Sequence, residues 1–179
     1  MSENQASLLR QPTDGTHQPE ADSGKDYPMP TPHARTGAQF YAGLIGPAAL
    51  SVEASRIAVN KSTDADIRQF ANFELREAVA VVAILKSLNT LPPPLDAGSQ
   101  DLLKILRTKP PGTEFDKIYI TAELANHEFL RDLAESYLAN ATEPADATEL
   151  HGRNLAALAL TAFKEHVVLS KNIVQAIGA

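Results

Sequence analysis

Two observations predict an all-α fold, a four-helix bundle. Four long stretches space their apolar residues three and four apart, the period of a helix with one buried face. No stretch alternates apolar and polar residues as a half-buried strand does.

Residues 1–35 read as a disordered tail, and 36–179 as the bundle domain. The tail is rich in Pro, Asp, Glu, Ser, Gln and Gly, and only Leu8-Leu9 and Tyr27-Pro28-Met29 break its polarity. Such a composition buries too little apolar surface to offset ordering entropy. His17 and His33 fall in it and are expected in solvent. Thr36 and Gln39 then form a capping-box pattern that opens the first helix. Its inner stripe is Phe40, Leu44, Ala48, Ser51, Ser55 and Ala58. Gly46-Pro47 predicts a kink or a break, because a mid-helix proline removes a hydrogen bond and clashes with the preceding turn. The helix is expected to end near Lys61.

Thr63 or Asp64 caps a second helix reaching about Leu88. The run from Ala78 to Leu85 is apolar all round, which predicts the most buried helix of the four. Pro92-Pro93-Pro94 follows, and a short extra helix fits Ser99 to Thr108. So long a connection between the second and third long helices suits a crossover along the bundle rather than a hairpin. The third long helix runs from the cap Thr113 to about Leu138, and the fourth from about Thr148 to Ile177 before the breaker Gly178.

Composition narrows the chemistry. Of 179 residues 44% are hydrophobic, 6% are aromatic and none is tryptophan, so the core is aliphatic. A net charge of −6 argues against nucleic acid as a partner. The absence of cysteine removes disulfides, thiolate ligands and a thiol nucleophile. The opening Met-Ser-Glu-Asn-Gln has no basic n-region leading to an apolar one, so the expected location is the cytoplasm. No window reads as apolar over the roughly 18 residues of a membrane span. There is no Walker-type loop, no Gly-x-Ser-x-Gly and no His-Glu-x-x-His.

The chemistry that remains sits in the apolar stripes. His127 shares one with Ile120, Leu130 and Ala134, and His166 another with Ala159, Phe163 and Ile173. Both should point inward. Glu74 and Glu77 lie three apart on the second helix beside Phe70 and Val81, and Glu123 lies one turn before His127. Facing imidazoles and carboxylates are what a bundle-core metal uses. A di-iron site wants two Glu-x-x-His motifs, but Leu124 and Phe163 stand three before the two histidines. A mononuclear site of His127, His166 and one of Glu74 or Glu77 has a reachable ligand count, for one divalent Fe, Mn or Zn. Glu77 is assigned as its carboxylate ligand, with Glu74 as a further ligand-site residue. The competing reading is a hydrogen-bonded polar core pair that sets helix register and needs no cofactor.

Several segments together resemble a bacterial ferritin-like family known as domain of unknown function 4142, whose members are often labelled outer membrane proteins. Phe40 through Ala58 resembles its first helix, ending in Ile57-Ala58. Phe70-Ala71 followed by Glu77 is similar to its Phe-Ala segment leading to Asp-His. Gly112-Thr-Glu-Phe115-Asp116-Lys-Ile-Tyr119 and then His127 look like its Gly-x-x-Phe-Asp-x-x-Tyr motif and following histidine. Leu160 through His166 resembles its Leu-Pro-x-Leu-x-x-His segment. The chain departs at Ala78, where the family usually has histidine, at Ser51, where an acid is common, and at Thr161, where proline is common. The resemblance implies a ferritin-like bundle over about 36–177 and carries no established activity. Many members look exported.

Two functional expectations follow. One is a non-catalytic bundle protein acting by association, as a homo-oligomer or with a protein partner, in a stress or envelope setting. The other is a metal- or small-ligand-binding bundle centred on His127 and His166 with Glu74 or Glu77. A redox enzyme stands third.

Overall fold

A computed structural model describes residues 32–140, 144 and 146–179. Among these there are five helices and no strand: α1 Gly37–Lys61, α2 Ala65–Ser87, α3 Ala97–Thr108, α4 Thr113–Asn140 and α5 Ala147–Ile177. His17, Leu8-Leu9 and Tyr27-Pro28-Met29 lie outside the described residues. Packing begins before the expected boundary. Ala34 is fully buried, and the exposed His33 has Nδ1 3.2 Å from Ser136 Oγ on α4.

The helix starts follow the cap chemistry. Thr36 Oγ1 accepts from the Gln39 amide, and the Gln39 side chain accepts in return from Arg35 N rather than from the cap residue itself. Asp64 accepts from the amides of Asp66 and Ile67. Buried Asp116 at the start of α4 accepts from Thr63 N, Thr63 Oγ1 and Asp64 N, tying α4 to the start of α2. Gly178 closes α5 in the left-handed conformation, with φ 65°.

End-to-end contacts give the topology. The start of α1 meets the end of α4 and the start of α5, where Glu149 accepts from Gly37 N and Tyr137 Oη. The end of α1 meets the end of α3 and the start of α4, as Lys61 donates to the carbonyls of Leu106 and Arg107 and its Nζ lies 5.2 Å from the centroid of the Phe115 ring. Thus α1 runs antiparallel to α4, and α2 runs parallel to α4. Successive parallel helices of this length, about 34 Å for α2, require a crossover, and the proline stretch with α3 supplies it.

Two apolar clusters fill the two ends. One gathers Phe40, Leu44, Leu85, Leu133, Tyr137 and Phe163; the other gathers Ile67, Phe70, Leu106, Phe115, Tyr119 and Ile120. Between them every long helix contributes buried polar residues: Ser51 and Ser55 from α1, Glu74 from α2, Glu123 and His127 from α4, His166 and Ser170 from α5.

Of the two alternatives at Pro47 the structure excludes the break, and two further expectations are corrected. α1 passes through Pro47 without a break, because buried residues on both sides, Leu44 and Ile45 before it and Ala48 and Ser51 after it, hold the helix against a cost of about 3 kcal/mol. α2 is not the most buried helix; α1 contributes more buried residues, while Val79 and Ile84 are 43% exposed. The apolar run of α2 outruns its partner surface: α2 packs mainly on α1 and meets α5 only sparsely. Finally, α1 is long and apolar enough by length and composition to cross a membrane. Its position at the centre of the bundle accounts for that composition.

Candidate metal centre

The spacing of α2 decides which glutamate turns inward. Ile67, Phe70, Ala71, Glu74, Ala78 and Leu85 form its buried stripe, so Glu74 is buried while Glu77 is rotated to the edge, its side chain 48% exposed. His127 of α4 and His166 of α5 are both buried, as their stripes predict.

Three ligand atoms converge. Glu74 Oε2 lies 3.0 Å from His127 Nε2 and 2.9 Å from His166 Nδ1, and the two nitrogens are 3.0 Å apart. The carboxylate oxygen between the imidazoles is therefore Glu74's. Glu77 Oε2 instead faces the far nitrogen of His166, Nε2, at 3.3 Å. Each atom of the triangle sees the other two about 60° apart, so one N–H cannot approach both near-linearly as hydrogen bonds prefer. A cation at the centre would accept all three lone pairs at once. Ligand atoms at right angles on bonds of about 2.1 Å lie about 3.0 Å apart, and at the tetrahedral angle about 3.4 Å apart. The observed edges match one face of an octahedron.

The outer nitrogens support the same arrangement. His127 Nδ1 is 2.8 Å from the Glu123 carbonyl, which can only accept, so Nδ1 carries the proton and Nε2 is left for the centre. His166 presents Nε2 to Glu77 and Nδ1 to the centre. A metal-bound histidine usually donates its other N–H to a carbonyl or a carboxylate; here His127 Nδ1 has the Glu123 carbonyl, and the Glu77 carboxylate stands 3.3 Å from His166 Nε2. Phe70 packs against both imidazoles, with ring centroids 6.1 and 5.1 Å away, and Phe163 packs against His127.

The charges are strongly coupled. Burial alone would raise the Glu74 carboxyl, but hydrogen bonds from His127 and His166 and the charge of both outweigh it and hold it at about 2. Burial alone would lower His127, but its bond to Glu74, the Glu74 and Glu123 charges and the Glu123 carbonyl raise it to about 9. Without an ion the trio is thus a buried ion pair, whose desolvation costs several kcal/mol per ion. Burial and the Glu74 charge push Glu123 up to about 8, against the lowering by His127 and by the Ser51 hydroxyl.

Glu123 is the centre's neighbour, with Oε2 3.7 Å from His127 Nδ1. Ser51 Oγ donates to it at 2.9 Å and accepts from Asn126 Nδ2 at 2.8 Å. Ser51 lies on the inner stripe that helical spacing predicts, whereas Asn126 was not among the residues singled out from the sequence. Its three-residue offset from Glu123 was the available signal.

Fold and site together define a class: a helical bundle whose polar mid-layer converges two histidines and one carboxylate. Within that class, the chain belongs to the family described as a domain of unknown function (DUF4142), whose family model matches residues 26–168. No curated protein and no solved structure matches it.

Proposed function

We propose that this protein binds one divalent transition metal through Glu74, His127 and His166, with Glu77 and the Glu123 carbonyl orienting the two imidazoles. The observation that carries the proposal is the triangle of donor atoms with edges of 2.9–3.0 Å. Two imidazoles and a carboxylate on one octahedral face suit Fe or Mn ahead of tetrahedral Zn. Such a set leaves coordination positions open for a small ligand. Of the two expectations from sequence, ligand binding is the one this geometry favours.

The test is the metal content of protein purified without a histidine tag, and its uptake on anaerobic addition of Fe or Mn. One equivalent is expected, lost in His127→Ala, His166→Ala and Glu74→Ala. Glu77→Gln should weaken affinity about 10- to 100-fold without abolishing it. A chain that takes up no metal, with variants that differ only in stability, sinks the proposal.

Action by association has one supporting observation, the exposed apolar residues Leu150, Val168 and Leu169 along the outside of α5. Concentration-dependent sedimentation of the wild type, abolished in Val168→Asp, would support it. A monomer at all concentrations would remove the homo-oligomer form.

A further inference from the structure

Glu74, His127 and His166 are each at most 5% exposed, so an ion needs a way in. α1 packs closely on α2, and α4 on α5, whereas α2 and α5 meet only sparsely. That seam has two openings. One, of about 400 Å³, is lined by Asp66, Phe73, Leu169 and Ile173, and by Phe70. Phe70 also packs against both imidazoles, so its ring stands between this opening and the centre. The other, of about 300 Å³, has Val81 and Ile84 of α2 and Leu158 and Ala162 of α5 on its walls, and it reaches Glu74 and His127 themselves.

This second groove has two carboxylates on its walls, Glu74 and Glu77, and no lysine or arginine. The carboxylates differ in depth. Glu77 stands at the edge, its side chain 48% exposed, and Glu74 is buried; they face opposite nitrogens of the His166 ring. A cleft lined by one sign of charge between low-dielectric walls concentrates counter-ions and speeds their arrival by about 10- to 1,000-fold. Apart from His127 the rest of the lining is apolar, so nothing else there competes for a cation. Apolar walls cannot replace its hydration either, but the space lets the ion stay wet. A water takes about 30 Å³ of liquid, so six waters need about 180 Å³, less than the groove offers. We propose that this groove is the loading route of the metal centre. A hydrated divalent cation enters between α2 and α5, exchanges one water for the Glu77 carboxylate at the mouth, and passes on to Glu74, His127 and His166. This rests on the metal-binding reading above.

The test is the rate of Co(II) binding to the full chain, followed by visible absorbance in stopped flow, with release measured in excess EDTA. A barrier on the route counts equally in both directions. Ala162→Phe on the α5 wall and Ala80→Trp on the exposed α2 wall should slow uptake and release by the same factor, about ten-fold or more, at an unchanged dissociation constant. Leu158, 75% exposed on the groove, tests the charge. Leu158→Lys should slow uptake and Leu158→Glu should speed it. Both differences should shrink between about 0.01 M and about 1 M salt, as the screening length falls from about 30 to about 3 Å. Glu77→Gln should lower the uptake rate about ten-fold and remove most of its salt dependence. Faster release with uptake intact in that variant would mean that Glu77 only orients His166, and overturns its entry role. A chain that takes up no cobalt overturns the metal reading and this proposal with it. Cobalt taken up at the wild-type rate in both wall variants, or indifferent to the two charges placed at position 158, overturns the route alone. A wall variant that slows uptake with release unchanged makes the groove part of the site rather than the way into it, and overturns the route as well.

Discussion

Glu74 and His127 hold opposite charges in the metal-free chain, and the two shifts bound a pH window. Glu74 is lowered from 4.5 to about 2, so its contribution is present above about pH 4.5 and lost as pH falls through about 2. His127 is raised from 6.5 to about 9, so its contribution is full below about pH 6.5 and lost as pH rises through about 9. His166 and Glu77 face the pair from α5 and the edge of α2, and Glu123 faces it from α4. Thermal melts in EDTA should therefore peak between about pH 4.5 and 6.5, and Glu74→Gln should flatten the profile. A wild-type melting temperature constant from pH 4 to 9 would contradict the assignment. Glu123 gives a second, opposite test. Raised to about 8, it keeps its proton in the fold while the unfolded chain ionises from about pH 4.5, so its contribution declines between those values. Glu123→Gln removes that titration. Urea midpoints at pH 5 and pH 8 should show the variant gaining on the wild type as pH rises.

At the scale of elements, close approach matters as much as helix propensity. A Cβ on Gly152 of α5 would lie 2.8 Å from Tyr137 Oη and 3.2 Å from Gly37 Cα, so α5 meets α1 and α4 there through a bare backbone. In an open helix Gly→Ala gains about 1 kcal/mol. Gly152→Ala should instead destabilise by about 1–3 kcal/mol through overpacking, seen as a lower urea midpoint at unchanged slope. Helix ends and caps were legible in the sequence because Thr36, Asp64 and Gly178 act locally. The fate of Pro47 and of the Ala78–Leu85 run was not. Both depend on which neighbouring helices lie alongside, and that is a tertiary fact.

For the whole molecule, the candidate centre joins α2 to α4 and α5, on which α2 otherwise packs only sparsely. Glu74 comes from α2, which lies mainly on α1; His127 and His166 come from α4 and α5, which lie mainly on each other. A metal that binds only the folded chain should stabilise it by about 4 kcal/mol at a thousand-fold excess over its dissociation constant. Calorimetry with Mn and with EDTA should show that rise in the wild type and none in His166→Ala; equal rises would place the metal elsewhere. The sequence by itself determined the helices, the crossover and the inward direction of His127 and His166, because 3.6-residue periodicity and cap chemistry are written along the chain. It also placed Glu74 and Glu77 within reach of the histidines. Only the tertiary structure decided that Glu74 closes the triangle while Glu77 holds the far side of His166. It alone, too, left a groove open between α2 and α5. Distances between residues 39 to 92 positions apart follow from how helices lie against one another, and periodicity within one helix carries no information about its neighbour's rotation.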